Sequence, residues 1–112
     1  MDCLFCKIIN GEIPSTKVFE DEYVYAFLDI APQAPFHAVV IPKIHIKDAT
    51  EINSENSIYI SKIFEAIPQI AKENELEKGF RVVNNCGEDG GQTVGHLHFH
   101  ILGKRYLQWP PG

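Results

Sequence analysis

The chain is predicted to be an α+β domain, with an antiparallel sheet and one main helix on one of its faces. Three features point there. Several short segments are rich in aromatic and apolar residues or alternate apolar with polar ones, as strands do. One long segment, from Ser54 to Ala71, spaces its apolar residues three to four apart, as one face of a helix does. Strands lie before that one main helix and again after it, which suggests an antiparallel sheet with the helix on one face.

The elements follow in order. Leu4, Phe5, Ile8 and Ile9 have helical spacing and predict a short N-terminal helix, stopped by Asn10-Gly11. Ile13-Pro14-Ser15 is a bend. Val18-Phe19 begins a strand, Asp21-Glu22 turns the chain, and Tyr23 to Leu28 returns as a second strand, completing a hairpin. Asp29 ends that strand, and Pro32 and Pro35 stiffen the loop after it. His37 to Ile41 is a third strand, closed by Pro42. Ser54 is the predicted N-cap of the main helix, whose stripe is Ile60, Ile63, Phe64, Ile67, Ile70 and Ala71. Pro68 lacks an N–H and is expected to kink or split that helix. Gly79 to Val83 is a fourth strand. The loop from Asn84 to Gln92 is full of residues that tolerate positive φ. The tail, Gln108 to Gly112, fits neither helix nor central strand.

The fifth strand carries the chemistry. Gly95-His96-Leu97-His98-Phe99-His100-Ile101-Leu102 alternates with period two. Leu97, Phe99 and Ile101 then face a core, and three imidazoles face one shared site. Such a set either holds a metal or handles a phosphate, since His serves acid–base, nucleophilic and metal chemistry. Gly90-Gly91-Gln92-Thr93 leads into it. Backbone amides and the Thr93 hydroxyl beside the histidines would suit an anion such as phosphate, although a Gly-Gly pair is equally a plain turn. Asp29 reads as a strand-end cap.

Size and charge set the class. The 112 residues fit one domain, 1–112, and 45% hydrophobic with 22% charged residues allows a modest core. A net charge of -5 disfavours a nucleic-acid polymer as partner. No apolar run reaches the ~20 residues that span a membrane, and the start lacks the basic and apolar regions of an export signal. Three cysteines favour free thiols or metal ligands over disulfides, so a cytoplasmic setting is expected. Cys3-x-x-Cys6 is a metal half-site by spacing, though a redox pair or two buried thiols would look the same.

The segment His96 to Leu102 matches the His-φ-His-φ-His-φ-φ signature, φ being apolar, of the histidine-triad (HIT) superfamily. Phe27-Leu28-Asp29-Ile30, Pro32-Gln33-Ala34-Pro35, His37, Ile41-Pro42-Lys43, Asn85, Gly90-Gly91-Gln92 and Trp109-Pro110-Pro111-Gly112 resemble its Hint branch. The resemblance covers nearly the whole chain. It implies a HIT-like fold with a five-stranded antiparallel sheet, paired into a homodimer in which the tail reaches towards the partner's active site. It implies a purine nucleotide-binding hydrolase that cleaves the P–N bond of nucleoside 5′-phosphoramidates, of the adenosine 5′-monophosphoramidate type, and acts on aminoacyl adenylates.

Carried over residue by residue, the resemblance makes His98 the nucleophile that forms a nucleotidyl-histidine, with His100 and His37 as donors to the phosphate. Thr93 stands where the branch usually has Ser, and keeps the hydroxyl. Gly95 stands where a Tyr or Phe is usual. Asp29 would accept from the ribose hydroxyls, Asn85 would contact ribose and phosphate, and Gly91 and Gln92 would flank the nucleotide. Leu4, Phe5, Ile8, Phe27 and Ile30 would form the apolar cleft for the base. In bacterial relatives a Cys pair joins two histidines, here His45 and His96, so a structural Zn²⁺ on Cys3, Cys6, His45 and His96 is expected, with no catalytic metal required. Cys86 has no place in that scheme. Three other readings remain beside the phosphoramidase: a dinucleoside polyphosphate hydrolase, a nucleotide-binding regulatory or scaffold protein, and a metal-binding protein with His37, His96, His98 and His100 around one ion.

Overall fold

The computed structural model describes residues 2–112. Its elements are α1 (Leu4–Ile9), β1 (Lys17–Glu20), β2 (Val24–Leu28), β3 (Phe36–Pro42), a 3₁₀ turn (Ala49–Glu51), α2 (Ser57–Glu73), β4 (Phe80–Val83) and β5 (Phe99–Gly103). The five strands form one sheet in the order β1-β2-β3-β5-β4, and every neighbouring pair is antiparallel.

Period-two alternation sorts the side chains onto two faces. Val24, Ala26, Ala38, Val40, Phe99 and Ile101 face α2, where they meet Ile63, Ala66, Ile67 and Ile70. Tyr25, Phe27, Val39 and Ile41 face the other way and pack under α1, against Cys3, Phe5 and Ile8. His37 lies between Phe36 and Ala38 on β3, and therefore shares this second face. The hairpin turn is pinned by Asp21, whose Oδ1 accepts the N–H groups of Tyr23 and Val24 at 2.8 Å.

The main helix departs from expectation at its start. Ser54 does not cap it; Asn56 holds the N-cap position, without a side-chain bond into the helix. Asn53 takes over the turn before it, its Oδ1 accepting from the amides of Glu55 and Asn56. Asn and Asp side chains compete for nearby backbone amides in this way and delay the first helical turn. Pro68 lies inside α2 without splitting it. Its missing N–H and ring cost roughly 3 kcal/mol. Burial of Ile63, Ile67 and Ile70 against the sheet, at about 1.5–3 kcal/mol each, outweighs that. Phe64 belongs to the predicted stripe yet is half exposed, with its edge on Phe99.

The histidine strand is shorter than its alternation predicts. The ladder begins at Phe99, and residues 95–98 approach it as irregular chain. The two-sided pattern persists through that approach, because Leu97 is fully buried in the α2-side core with Phe99 and Ile101. The Leu97 N–H donates to the Ile46 carbonyl at 2.6 Å, which fixes the segment without a strand partner.

Candidate active site

The three histidines do not share one site. His98 and His100 have ring centroids 5.0 Å apart, and His100 lies equally close to His37. His96 instead turns towards His45 and the two N-terminal cysteines. Phe5 of α1 packs edge-on against both His96 and His98, at 5.9 and 5.2 Å, and separates the two centres. A single ion held by His37, His96, His98 and His100 is therefore not the arrangement adopted.

Hydrogen bonds fix which nitrogen of each ring carries the proton. The His98 ring meets the His96 carbonyl through Nδ1 at 2.7 Å. A carbonyl only accepts, so Nδ1–H donates, and the neutral ring keeps its lone pair on Nε2. The Gln33 backbone N–H donates to His37 Nδ1 at 3.0 Å. His37 then carries its proton on Nε2 and donates it to His100 Nδ1 at 2.8 Å. His100 in turn carries its own proton on Nε2. The result is a nucleophilic nitrogen on His98 beside a proton-bearing pair, His37 and His100.

Burial keeps that pair neutral. It pushes His100 down to about 4, with His98 and His37 acting in the same direction and Asp29 opposing. Burial likewise lowers His37 from its ordinary value, again opposed by Asp29. The Asp29 carboxylate lies 3.5 Å from His37 Nε2 and accepts from the Ala31 N–H through its other oxygen.

The other expected residues distribute unevenly. Phe5, Ile8 and Phe27 are buried together under the sheet. Leu4 is half exposed and Ile30 is fully exposed. Asn85 is half-buried, and Thr93 and Gly91 are exposed. An amide cradle from the glycine loop is not formed by Gly91 and Gln92, because their N–H groups donate to the Glu88 and Gly87 carbonyls. The Gln92 side chain is a brace: it accepts from Gly87 N–H and donates to the carbonyls of Lys47 and Val94. The loop needs glycine at position 90, where a Cβ would overlap the Cys86 backbone.

Two contributors escaped the sequence reading. Asn84 donates its side-chain amide to the His98 carbonyl at 2.8 Å, where the β4–β5 ladder has already ended. Arg105 donates Nε–H to the Gln33 carbonyl at 3.0 Å. Both are single polar residues without a local pattern, so no periodicity or spacing marks them.

The second centre gathers Cys3, Cys6, His45 and His96, with one ligand atom from each lying within 4.8 Å of all the others. His96 donates Nε2–H to the Pro42 carbonyl at 3.1 Å, so its Nδ1 lone pair faces Cys3 Sγ at 3.3 Å and Cys6 Sγ at 3.6 Å. His45 Nδ1 lies 3.5 Å from Cys6 Sγ. Zinc distances of about 2.3 Å to sulfur and 2.0–2.1 Å to nitrogen, in a tetrahedron, place N and S about 3.6 Å apart. The donor set and spacing thus fit a closed Cys₂His₂ zinc site. Burial and the adjacent Cys3 push the Cys6 thiol up to about 11, and a bound divalent cation would reverse that by stabilising the thiolate. Burial also pushes the His96 ring down to about 4, the form in which it can ligate.

Comparison with known proteins gives the family. The HIT domain family model matches residues 10–107. A 14 kDa zinc-binding protein of Zea mays is 46% identical over 97% of this chain and 87% of its own length. Adenylylsulfatase HINT1 of Arabidopsis thaliana is 41% identical over 97% of this chain and 76% of its own. Among solved structures, a HIT family hydrolase from Legionella pneumophila Philadelphia 1 is 47% identical, covers 99% of this chain and 100% of its own, and superposes with a TM-score of 0.96. The chain belongs to the HIT domain family, in its Hint branch.

Proposed function

We propose that the protein is a nucleotide hydrolase that cleaves the P–N bond of purine nucleoside 5′-phosphoramidates through a nucleotidyl-histidine at His98. The observation that carries this reading is the 2.7 Å bond from His98 Nδ1–H to the His96 carbonyl, which leaves a lone pair on Nε2. In the first step, that lone pair forms a bond to phosphorus while the P–N bond breaks, and the departing amine takes up a proton from solvent. In the second, water attacks the phosphorus and gives a proton to solvent, the bond to Nε2 breaks with its electron pair returning to the ring, and a nucleoside monophosphate leaves. His100 donates its Nε2–H to a phosphoryl oxygen, and His37 supports it from behind by donating to His100 Nδ1. Thr93, Asn85, Gly91 and Gln92 bound the phosphate side. Asp29 accepts from the ribose diol, and Phe5, Ile8, Phe27 and Ile30 border the base.

Cys3, Cys6, His45 and His96 hold a structural zinc in this reading, separate from the reacting atoms. The name of the maize relative supports it beside the ligand geometry. The protein pairs into a homodimer through the β4 edge. Support comes from Phe80 on that edge and from Phe64 on α2, both substantially exposed. A cytoplasmic setting is supported by Cys3, Cys6 and Cys86, none of which is in a disulfide. Among the described residues no helix is long and apolar enough to cross a membrane.

The test is brief mixing with adenosine 5′-monophosphoramidate followed by mass spectrometry. A mass gain of one nucleotide on His98 with release of ammonia supports the reading. Binding without turnover replaces it with a nucleotide-sensing role. The name of the Arabidopsis relative favours adenylyl sulfate as a second substrate to assay, and diadenosine polyphosphates form the third arm.

A further inference from the structure

The His37–His100 pair depends on a loop that is only lightly tied down. Between β2 and β3 the chain makes an excursion whose base is closed by the Asp29 N–H donating to the His37 carbonyl at 2.9 Å. Inside it, Ala31 N–H donates to Asp29, and the Gln33 side chain donates to the Ala31 carbonyl at 3.0 Å. These bonds shape the excursion without anchoring it to anything else. Among the described residues, one hydrogen bond joins residues 30–35 to the chain outside Asp29–His37: Arg105 Nε–H to the Gln33 carbonyl.

Gln33 is where the anchor and the histidine meet. Its C=O accepts from Arg105, and its N–H donates to His37 Nδ1. Arg105 reaches it because Lys104, directly after β5, adopts a left-handed φ of 70°, which turns the chain back towards the loop. A non-glycine residue is held there only where its surroundings over-determine it. The Arg105 Nη1 also donates to the Tyr106 carbonyl at 3.3 Å, which fixes the plane of the guanidinium.

We infer that Arg105 is a positioning residue for the histidine pair: by holding the Gln33 carbonyl it keeps the Gln33 amide on His37 Nδ1, and so sets the tautomers of His37 and His100. The chain of donors runs Arg105 to Gln33, Gln33 to His37, and His37 to His100. If the loop swings away, His37 Nδ1 loses its obligatory donor, and the ring is free to carry its proton on either nitrogen. His100 Nδ1 then no longer has a fixed donor, and its own proton is no longer confined to Nε2. The inference rests on the proposed function only for its kinetic consequence. The tautomer assignment stands on the free protein.

The experiment records long-range ¹H–¹⁵N spectra of the imidazoles in the wild type and in Arg105→Ala near neutral pH. The wild type is expected to show single Nε2–H tautomers for His37 and His100. Arg105→Ala is expected to fold with a closely similar melting temperature, since Arg105 is exposed, and to move both rings towards tautomer mixtures while His98 keeps its Nδ1–H form. With adenosine 5′-monophosphoramidate, kcat should fall on the order of tenfold to a hundredfold with KM little changed. Unchanged His37 and His100 spectra in Arg105→Ala overturn the inference. Should that variant not fold, Arg105→Lys, which keeps the stem and charge but not the planar fork, is read by the same spectra and decides in the same way. A wild type that hydrolyses no nucleotide sinks the functional reading and leaves the spectral comparison decisive for Arg105.

Discussion

His96 serves His98 through its backbone and the Cys₂His₂ centre through its side chain. Its carbonyl accepts the His98 Nδ1–H at 2.7 Å, while its Nδ1 faces Cys3 and Cys6. The His98 ring is therefore oriented by a residue whose own side chain lies in the other cluster.

That relationship makes His98→Asn the sharpest change at the site. Asn keeps polarity and much of the volume but supplies no nucleophilic nitrogen. Nucleotide binding should persist, and turnover should fall by at least about 10³-fold. Calorimetric binding of AMP beside single-turnover kinetics checks both halves. Retained turnover would remove His98 from the nucleophile's role.

Metal removal should loosen the same region. One zinc per chain is expected by elemental analysis, and chelation or Cys6→Ser should lower the melting temperature. Closed structural sites contribute folding energy directly. The imidazole spectrum of His98 should broaden in the metal-free protein, because its acceptor on His96 is no longer fixed. Metal-free protein of unchanged stability, with no zinc in the purified material, would count against the site.

The pH dependence follows from His100. Its folded value is about 4, below the roughly 6.5 of a free imidazole. Between those values the unfolded chain binds more protons than the folded one, so stability falls as pH drops through that window. Turnover should be flat from about pH 8 to about pH 6 and decline towards pH 4, where His100 gains a proton and can no longer accept from His37. Urea midpoints and kcat/KM profiles measure these. His100→Asn, lacking the ring, should lose this part of the acid sensitivity.

Asn84→Ala removes the donor to the His98 carbonyl. A buried or half-buried acceptor left without its partner costs about 1–3 kcal/mol. Part of that should appear as lower stability in urea titration and part as lower kcat, since the bond holds the backbone of His98. Asn84→Asp, which cannot donate when ionised, should behave like the Ala variant.

The α2 stripe offers a test that leaves the chemistry alone. Ile63 is fully buried against the sheet face opposite the histidines. Ile63→Ala should cost about 2–5 kcal/mol in unfolding free energy, a large share of the roughly 5–15 kcal/mol available to a domain of this size. Below the melting temperature its turnover should stay near that of the wild type.

Much of this molecule is legible in its sequence. Period-two alternation placed Leu97, Phe99 and Ile101 in one core and the imidazoles on the other face. The three-to-four spacing marked α2, and Cys3-x-x-Cys6 marked a metal half-site. Those features are local, and local geometry fixes which way a side chain leaves the backbone. Where the local rules misled, tertiary packing decided. Pro68 did not split α2 because three buried isoleucines outweigh one missing bond. Ser54 did not cap it because Asn53 had already claimed the nearby amides.

The partition of the histidines belongs to the tertiary structure alone. Alternation puts His96, His98 and His100 on one face, and nothing in it says that Phe5, from a helix at the far end of the chain, will stand between the first two. Nor does it assign protons. The tautomers of His96 and His37 are set by backbone groups outside the histidine strand: the Pro42 carbonyl for His96 and the Gln33 amide for His37. A hydrogen bond is directional and joins residues that only folding brings together, so the folded chain determines which nitrogen keeps a lone pair and which one carries a proton.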